Sequence, residues 1–505
     1  MDENYKLAKE AFVAGLQGTS AREVFLVFAI SPVRIDLAVE WSSTAENSSR
    51  GTLKHGVVTL CQGVYGSIRS LCCCWRSWGS DNWVPNLAAT ILLEFAVTVV
   101  PTMIGFSYAE YAIPLLAMVY SLAAMFSALS RFHAKEFVRK HCRKEKVNQL
   151  LEKELPFLTN FRAQIMISTC FAILAVDFTV FPRRFAKTEN YGFSVMDIGV
   201  GAFIVSSAIV SAPARQARPS ASTKRSHSEH PQSFVKKCYT FLRPIALVLV
   251  FGVARFLTVK GVNYQEHVSE YGVHWNFFFT LAGVYLVYSF LRVFGRWASS
   301  PVVAILIALG YQVYLSHYGG EEYILDAPRD NLMSQNREGI LSLAGYTSLY
   351  MLSVYTGQCL FGYMDLNGTK LHRNMRWLVI TLFVISGLVW LSTFLSVRLV
   401  ARPSRRMLNL SYLLWVMAES LTLIALYSGI QTVCMLPRVP LLFQGINHNQ
   451  LFIFIVANLM TGGVNLSMHT INTSPVVASG VLLLYMLVVC VLASVLQHAN
   501  VRIKL

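Results

Sequence analysis

The sequence predicts an all-α fold: a polytopic transmembrane helical bundle with about 13 spans. Three observations predict it. Of its 505 residues, 54% are hydrophobic and only 14% are charged, where soluble domains carry about 25%. Apolar runs recur at roughly the ~20 residues a helix needs to cross a bilayer. The intervening loops are rich in Lys and Arg. The net charge of +16 therefore reads as loop charge held on the cytoplasmic side, which excludes a nucleic-acid partner and makes membrane lipids the surroundings.

Taken in order, the first residues, Met1 to Lys9, are mixed in charge, and no small-residue cleavage site follows a clean apolar core, so no cleavable signal peptide is expected. The spans follow at 24–40, 86–105, 110–130, 161–181, 193–211, 240–258, 274–293, 300–316, 339–361, 377–397, 409–429, 450–468 and 476–497. The first is weak, because Arg34 and Asp36 interrupt it. The run from Val57 to Ile68 is too short and too rich in glycine to count. Residues 1–505 form one integral-membrane domain. Residues 213–239, rich in Ser, Pro and His, are expected to be a flexible cytoplasmic loop.

Orientation follows from charge. Arg131, Lys135, Arg139, Lys140, Arg143, Lys144, Lys146 and Lys153 fill one loop, and 215–243 is also basic. Both are assigned to the cytoplasm. Alternation then places 182–192, 259–273, 317–338 and 469–475 on the other, lumenal side, with a lumenal N-terminus and a cytoplasmic C-terminus. The loop with Arg398, Arg402, Arg405 and Arg406 breaks the rule. Either the parity slips after residue 377, or those arginines meet lipid headgroups. The four polar lumenal segments hold none of the ten cysteines, so structural disulfides are not expected. Cys72, Cys73 and Cys74 are a palmitoylation candidate. Asn47 and Asn367 match the glycosylation pattern but map to the cytoplasmic side.

The polar residues of the lumenal segments are where chemistry is expected. Asp177 closes an apolar run just before Pro182. It is either a structural carboxylate paired with Arg183 or Arg184, or a general base, since a sugar hydroxyl is a poor nucleophile until its proton is taken. Lys187 is suited to stabilise an oxyanion or to hold a phosphate. Arg183 and Arg184 offer guanidinium forks for phosphate, or anchor the chain at the membrane edge. Asn263, Tyr264, His267, Glu270, Tyr271, His274, Trp275 and Asn276 mix aromatic faces with donors and acceptors, as recognition of a carbohydrate-like headgroup requires. A Tyr and Trp interface belt accounts for the aromatics alone. His267 and His274 are too far apart for a helical zinc pair, so no metal site is expected; His274 stays an alternative base. Asn336 and Arg337 open a span beside Glu338, whose charge suits a helix start. Asn465 lies inside a span, where an amide contacts substrate or bonds across helices. There is no Gly-x-Ser-x-Gly elbow and no His-Glu-x-x-His.

Four blocks, in order, carry a family resemblance: Ala175 to Glu189, Arg255 to Phe278, Asn336 to Ile340, and Asn458 to Met468. The opening Lys9 to Val13 with Gly18-Thr19-Ser20 fits as well. They resemble the glycosylphosphatidylinositol (GPI) inositol acyltransferases of the PIG-W type, while 41–85 and 213–235 look divergent. The resemblance implies transfer of a fatty acyl chain, palmitoyl by preference, from acyl-CoA to the inositol 2-hydroxyl of glucosaminyl-phosphatidylinositol. It implies an endoplasmic reticulum membrane enzyme with a lumenal site, Asp177 and Lys187 at the positions linked to acyl transfer, and acyl-CoA as co-substrate with no bound cofactor. Two rivals remain: a transporter or lipid flippase, against which the halves show no internal repeat, and a non-catalytic scaffold.

Overall fold

The structure, a computed structural model, describes residues 3–30, 84–111, 113–114, 155–215, 245–257, 268–295, 300–367, 371–434 and 439–503. It is an all-α bundle, with no strand among the described residues. Two helices precede the spans, α1 (Glu3–Val13) and α2 (Ala21–Ala29). Then come α3 (Leu87–Ser107), α4 (Pro156–Ala175), α5 (Val195–Ala208), α6 (Ile245–Leu257) and α7 (Phe277–Val293). The chain continues through α8 (Pro301–His317), α9 (Gly320–Asp326), α10 (Arg337–Asn367), α11 (Leu371–Leu399) and α12 (Leu410–Cys434). It closes with α13 (Leu441–His448), α14 (Gln450–Ser467) and α15 (Pro475–His498).

Among the described residues, six helices are long and apolar enough to cross a membrane: α3, α4, α11 from Asn374, α12 to Thr432, α14 and α15. A seventh arises if α8 and α9, bent by 68° at their junction, count as one broken span. The expected spans other than 24–40 and 110–130 coincide with helices; those two fall largely outside the described residues. Thirteen full crossings are another matter. The 14 residues of α5 rise only ~21 Å, short of a ~30 Å hydrocarbon core. Apolar length in the sequence counted the buried loop ends along with the helix. The expected 161–181 span is corrected in the same way: its helix ends at Ala175. Phe178 and Phe181 beyond it are fully buried in non-helical chain, which is why the hydropathy runs on.

Burial sorts the helices into inner and outer layers. In α4 and α12, 78% and 72% of the apolar window is buried, against 22% in α11. α4 packs on α5, α12, α13 and α14, and α10 packs on α5, α7 and α8. α11 lies along α12 and turns Trp377, Ile380, Val384, Leu388, Leu391 and Phe394 outward. Such a surface suits lipid, because apolar side chains have no driving force to leave it. α3 widens into a π turn over Phe95–Val99 just before Pro101, whose missing N–H and ring disrupt regular helix. Buried Glu94 is held by the N–H groups of Leu441 and Leu442, at 3.0 and 2.8 Å. A carboxylate thus satisfies the orphan donors at the start of α13.

Candidate functional site

Several connecting segments meet at one end of the bundle. Thr19 N–H donates to Phe193 O at 2.7 Å, Gly192 N–H to Pro403 O at 2.9 Å, and Val273 N–H to Gln335 O at 2.9 Å. The N-terminal segment, 182–194, 268–276, 327–338 and 400–409 are therefore stitched together. Residues 467–474 join through α1, where Tyr5 packs on His469 at 4.4 Å. Two glycines permit the close approaches. Gly192 (φ +145°) and Gly272 (φ +114°) adopt backbone that side chains rarely do, and a Cβ would strike Gln17 O at 2.4 Å and Asn336 Cα at 2.6 Å. The charge parity read from the sequence had put these loops on one side, and the arginine loop belongs with them. Arg405 and Arg406 do not meet headgroups; they are buried among carboxylates.

The first polar cluster is built on Asp177, two residues beyond the end of α4 and 4% exposed. Lys9 Nζ lies 3.2 Å from its Oδ1. Asn465 Nδ2 donates to its Oδ2 at 2.8 Å. Lys9 Nζ also donates to Asn465 Oδ1 at 2.6 Å, closing a triangle. Lys9 is 1% exposed. The expected partner was Arg183 or Arg184, and this is corrected. Arg183 donates to the carbonyls of Phe178 and Phe181 and lies 3.9 Å over the Phe12 ring. Arg184 pairs with Glu23 at 3.0 Å. Among the described residues each Asp177 side-chain oxygen has one donor, and a carboxylate oxygen has lone pairs for two. The carboxylate can thus be held in place and still accept a proton.

The second cluster holds Lys187. Its ammonium donates to both oxygens of Glu270, at 2.7 and 2.6 Å. Arg405 Nη1 is 3.4 Å from Glu270 Oε1, and its Nε donates to Asp197 Oδ1 at 2.9 Å. Thr188 adds its hydroxyl to Asp197 Oδ2 at 2.7 Å and its N–H to the same carboxylate. Burial by itself would raise the Glu270 carboxyl, but the charges of Lys187 and Arg405 outweigh it and hold Glu270 down at about 2. Arg405 is raised in turn: burial opposes its charge, and Glu270 and Asp197 more than offset that.

A third cluster centres on Glu338, which takes Arg406 Nη2 at 2.8 Å and a fork from Arg329. Arg406 also donates to Asn190 Oδ1 at 3.0 Å.

The structure brings Asp177 together with Asn465, Lys187 with Glu270, and Asn336 with the N–H of His274 at 2.8 Å. It also shows several expected binding groups spent inside the chain. Asn276 caps α7 and donates to Gly252 O at 2.9 Å. Trp275 donates to Thr280 Oγ1 at 2.9 Å and lies against Gly339. Arg337 donates to the carbonyls of Ile324, Ala327 and Pro328, which end α9 and its loop. Tyr271 packs on the core. Asn263, Tyr264 and His267 lie outside the described residues, as do the loop 213–239 beyond Arg215, the cysteines Cys72–Cys74, Asn47 and the glycosylation segment after Asn367.

Sequence reasoning gave no role to Lys9 or Asp197 and read Glu338 as a helix-dipole charge. The signals were present. Tyr5, Lys9 and Phe12 recur at i, i+4 and i+7 on one face of α1. Asp197 is a lone carboxylate in an apolar run. Arg405 and Arg406 stood out as cations on the wrong side.

A model of the GWT1 family matches residues 5–496. The chain is 36% identical, over 72% of its length and 76% of the relative, to "GPI-anchored wall transfer protein 1" of Yarrowia lipolytica. It is 33% identical to the protein of that name from Aspergillus fumigatus, over 100% and 99%. It is 30% identical to "Phosphatidylinositol-glycan biosynthesis class W protein" of Dictyostelium discoideum, over the full length of both.

Proposed function

The chain belongs to the GWT1 family, and on that premise we propose that it is a GPI-anchor biosynthesis enzyme of the endoplasmic reticulum membrane, an O-acyltransferase. It moves a fatty acyl chain, palmitoyl by preference, from acyl-CoA to the inositol 2-hydroxyl of glucosaminyl-phosphatidylinositol. The names of its relatives support the pathway. The observation that supports the chemistry is the buried Asp177 carboxylate, held by a cation and an amide at the end of the bundle where the polar loops converge.

In this reading both substrates leave their chains in the apolar belt, where each buried methylene contributes ~0.8 kcal/mol. Asp177 takes the hydroxyl proton as the inositol oxygen attacks the thioester carbonyl carbon. Lys187, held by Glu270, offers its ammonium to the developing oxyanion. The tetrahedral intermediate collapses with cleavage of the carbon–sulfur bond. The coenzyme A thiolate leaves and is protonated, and the ester remains on inositol. Arg184, the more exposed of the paired guanidiniums, is placed to meet the acceptor phosphate. The site faces the lumen.

The test is acyl transfer by purified protein in liposomes, with labelled palmitoyl-CoA and glucosaminyl-phosphatidylinositol. Labelled product from wild type and none from Asp177→Asn is the expected result. No product from folded wild type with any acyl donor overturns the reading and favours a transporter, for which the broken α8–α9 pair would be the feature to pursue.

A further inference from the structure

The N-terminal helix α1 is not itself a span, yet its inward face reaches the buried Asp177 carboxylate. Tyr5 meets Thr470 and His469, Lys9 meets Asp177 and Asn465, and Phe12 meets Arg183. Three side chains in register on one helical stripe thus bind the loop after α14, the carboxylate after α4 and the arginine after Pro182. Leu16 O then accepts the N–H of Glu189 at 3.0 Å, so the segment after α1 continues along the same loop. An ammonium at 1% exposure is costly unless paired, and its pairs here are the two functional groups the sequence singled out independently.

We propose that Lys9 is a positioning residue of the reaction centre: it holds the Asp177 carboxylate in place, and it fixes the Asn465 amide so that its Nδ2 faces the carboxylate. The role rests on the acyl-transfer reading. The amide assignment follows from the cation. With Lys9 Nζ on Oδ1 of Asn465, the amide must present its nitrogen to Asp177, which makes Asn465 a donor to the ionised base. The groups facing Asp177 from each packed element are Lys9 from α1, Asn465 from α14 and the charge of Arg183 from the loop. Among the described residues, only Lys9 supplies a full charge in direct contact with the carboxylate.

Lys9→Met, Lys9→Arg and the double variant Lys9→Met/Asp177→Asn test this, with transfer measured per folded molecule and thermal unfolding measured beside it. Lys9→Met is expected to lower kcat on the order of a hundredfold, the scale of a misplaced reacting group, with KM near wild type. Lys9→Arg should recover most of the rate. In unfolding, the double variant should be no less stable than Lys9→Met alone. Wild-type turnover in Lys9→Met overturns the proposal, however much stability is lost, and so do additive losses of stability. Silence of wild type itself marks failure of the acyl-transfer reading, and the positioning role falls with it.

Discussion

The Asp177 cluster and the Lys187 cluster lie at the same end of the bundle, and they balance charge differently. Asp177 has one cation and one neutral amide, and all three side chains are nearly sealed. Lys187 belongs to a four-charge network, in which Glu270 and Asp197 are answered by Lys187 and Arg405. Its side chain is 38% exposed. The first arrangement keeps a carboxylate with spare acceptor capacity in a dry setting. The second fixes loops from three parts of the chain and leaves the Lys187 side chain partly exposed. A base and an electrostatic stabiliser need those two different environments.

The largest effect that would break this contrast is at Asp177. Asp177→Asn keeps the shape and one acceptor oxygen, which can serve Lys9 or Asn465, but its NH2 faces the other donor and it cannot take a proton at neutral pH. Transfer should fall by about 10²–10⁴ in protein that elutes as a single folded species. Retained turnover would move the base to His274. Lys187→Met comes next. It should cost about 10²–10³ in kcat, the scale of one lost oxyanion donor, and Glu270 would still have Arg405. Comparing KM with kcat separates this role from phosphate binding, which would raise KM and spare kcat.

Arg405 sharpens the contrast in stability. Arg405→Met leaves Glu270 with Lys187 and the weaker charge of Arg255, and removes the only cation paired with Asp197 among the described residues. Breaking a buried pair costs about 3–5 kcal/mol, so the melting temperature in detergent should fall markedly. Glu270 adds a pH signature. Its carboxyl lies at about 2 instead of 4.5, so the unfolded chain binds more protons between those values and stability rises with pH across them. The contribution is complete above about pH 4.5 and is lost as pH falls toward 2. Glu270→Gln should be less stable at neutral pH by about 3 kcal/mol, with a flatter acid unfolding profile in that window.

Much of this was legible in the sequence, for reasons that also explain what was not. Hydropathy located the helices because a lipid-facing helix must be apolar on its surface, as α11 is. It misplaced the end of α4 because Phe178 and Phe181 are as apolar as any span residue while lying in irregular chain. Parity gathered the polar loops at one end because loops must alternate. Pairing was beyond it. Lys9 and Asp177 are far apart in sequence, and nothing local reveals that α1 folds back onto the site. Asn276 caps a helix and Arg337 binds carbonyls within the chain, structural roles that the composition of a polar, aromatic segment does not reveal.

The smallest expected effect is at Arg184, and it separates stability from binding. Its ion pair with Glu23 is solvent-exposed, with side chains 44% and 28% accessible. Such pairs contribute about 0–1 kcal/mol. Arg184→Ala should therefore leave the melting temperature nearly unchanged. Arg183 stands beside it with its donors on the carbonyls of Phe178 and Phe181, so Arg183→Ala should loosen the loop that carries Asp177 and lower stability and turnover together. A guanidinium that meets the acceptor phosphate behaves otherwise. Arg184→Ala would raise KM for glucosaminyl-phosphatidylinositol severalfold, leave KM for palmitoyl-CoA alone, and spare kcat. The increase should shrink at high salt, because screening weakens the wild-type contact at an exposed site. Equal KM values in wild type and variant would remove Arg184 from the acceptor site and leave it as an ordinary surface charge on Glu23.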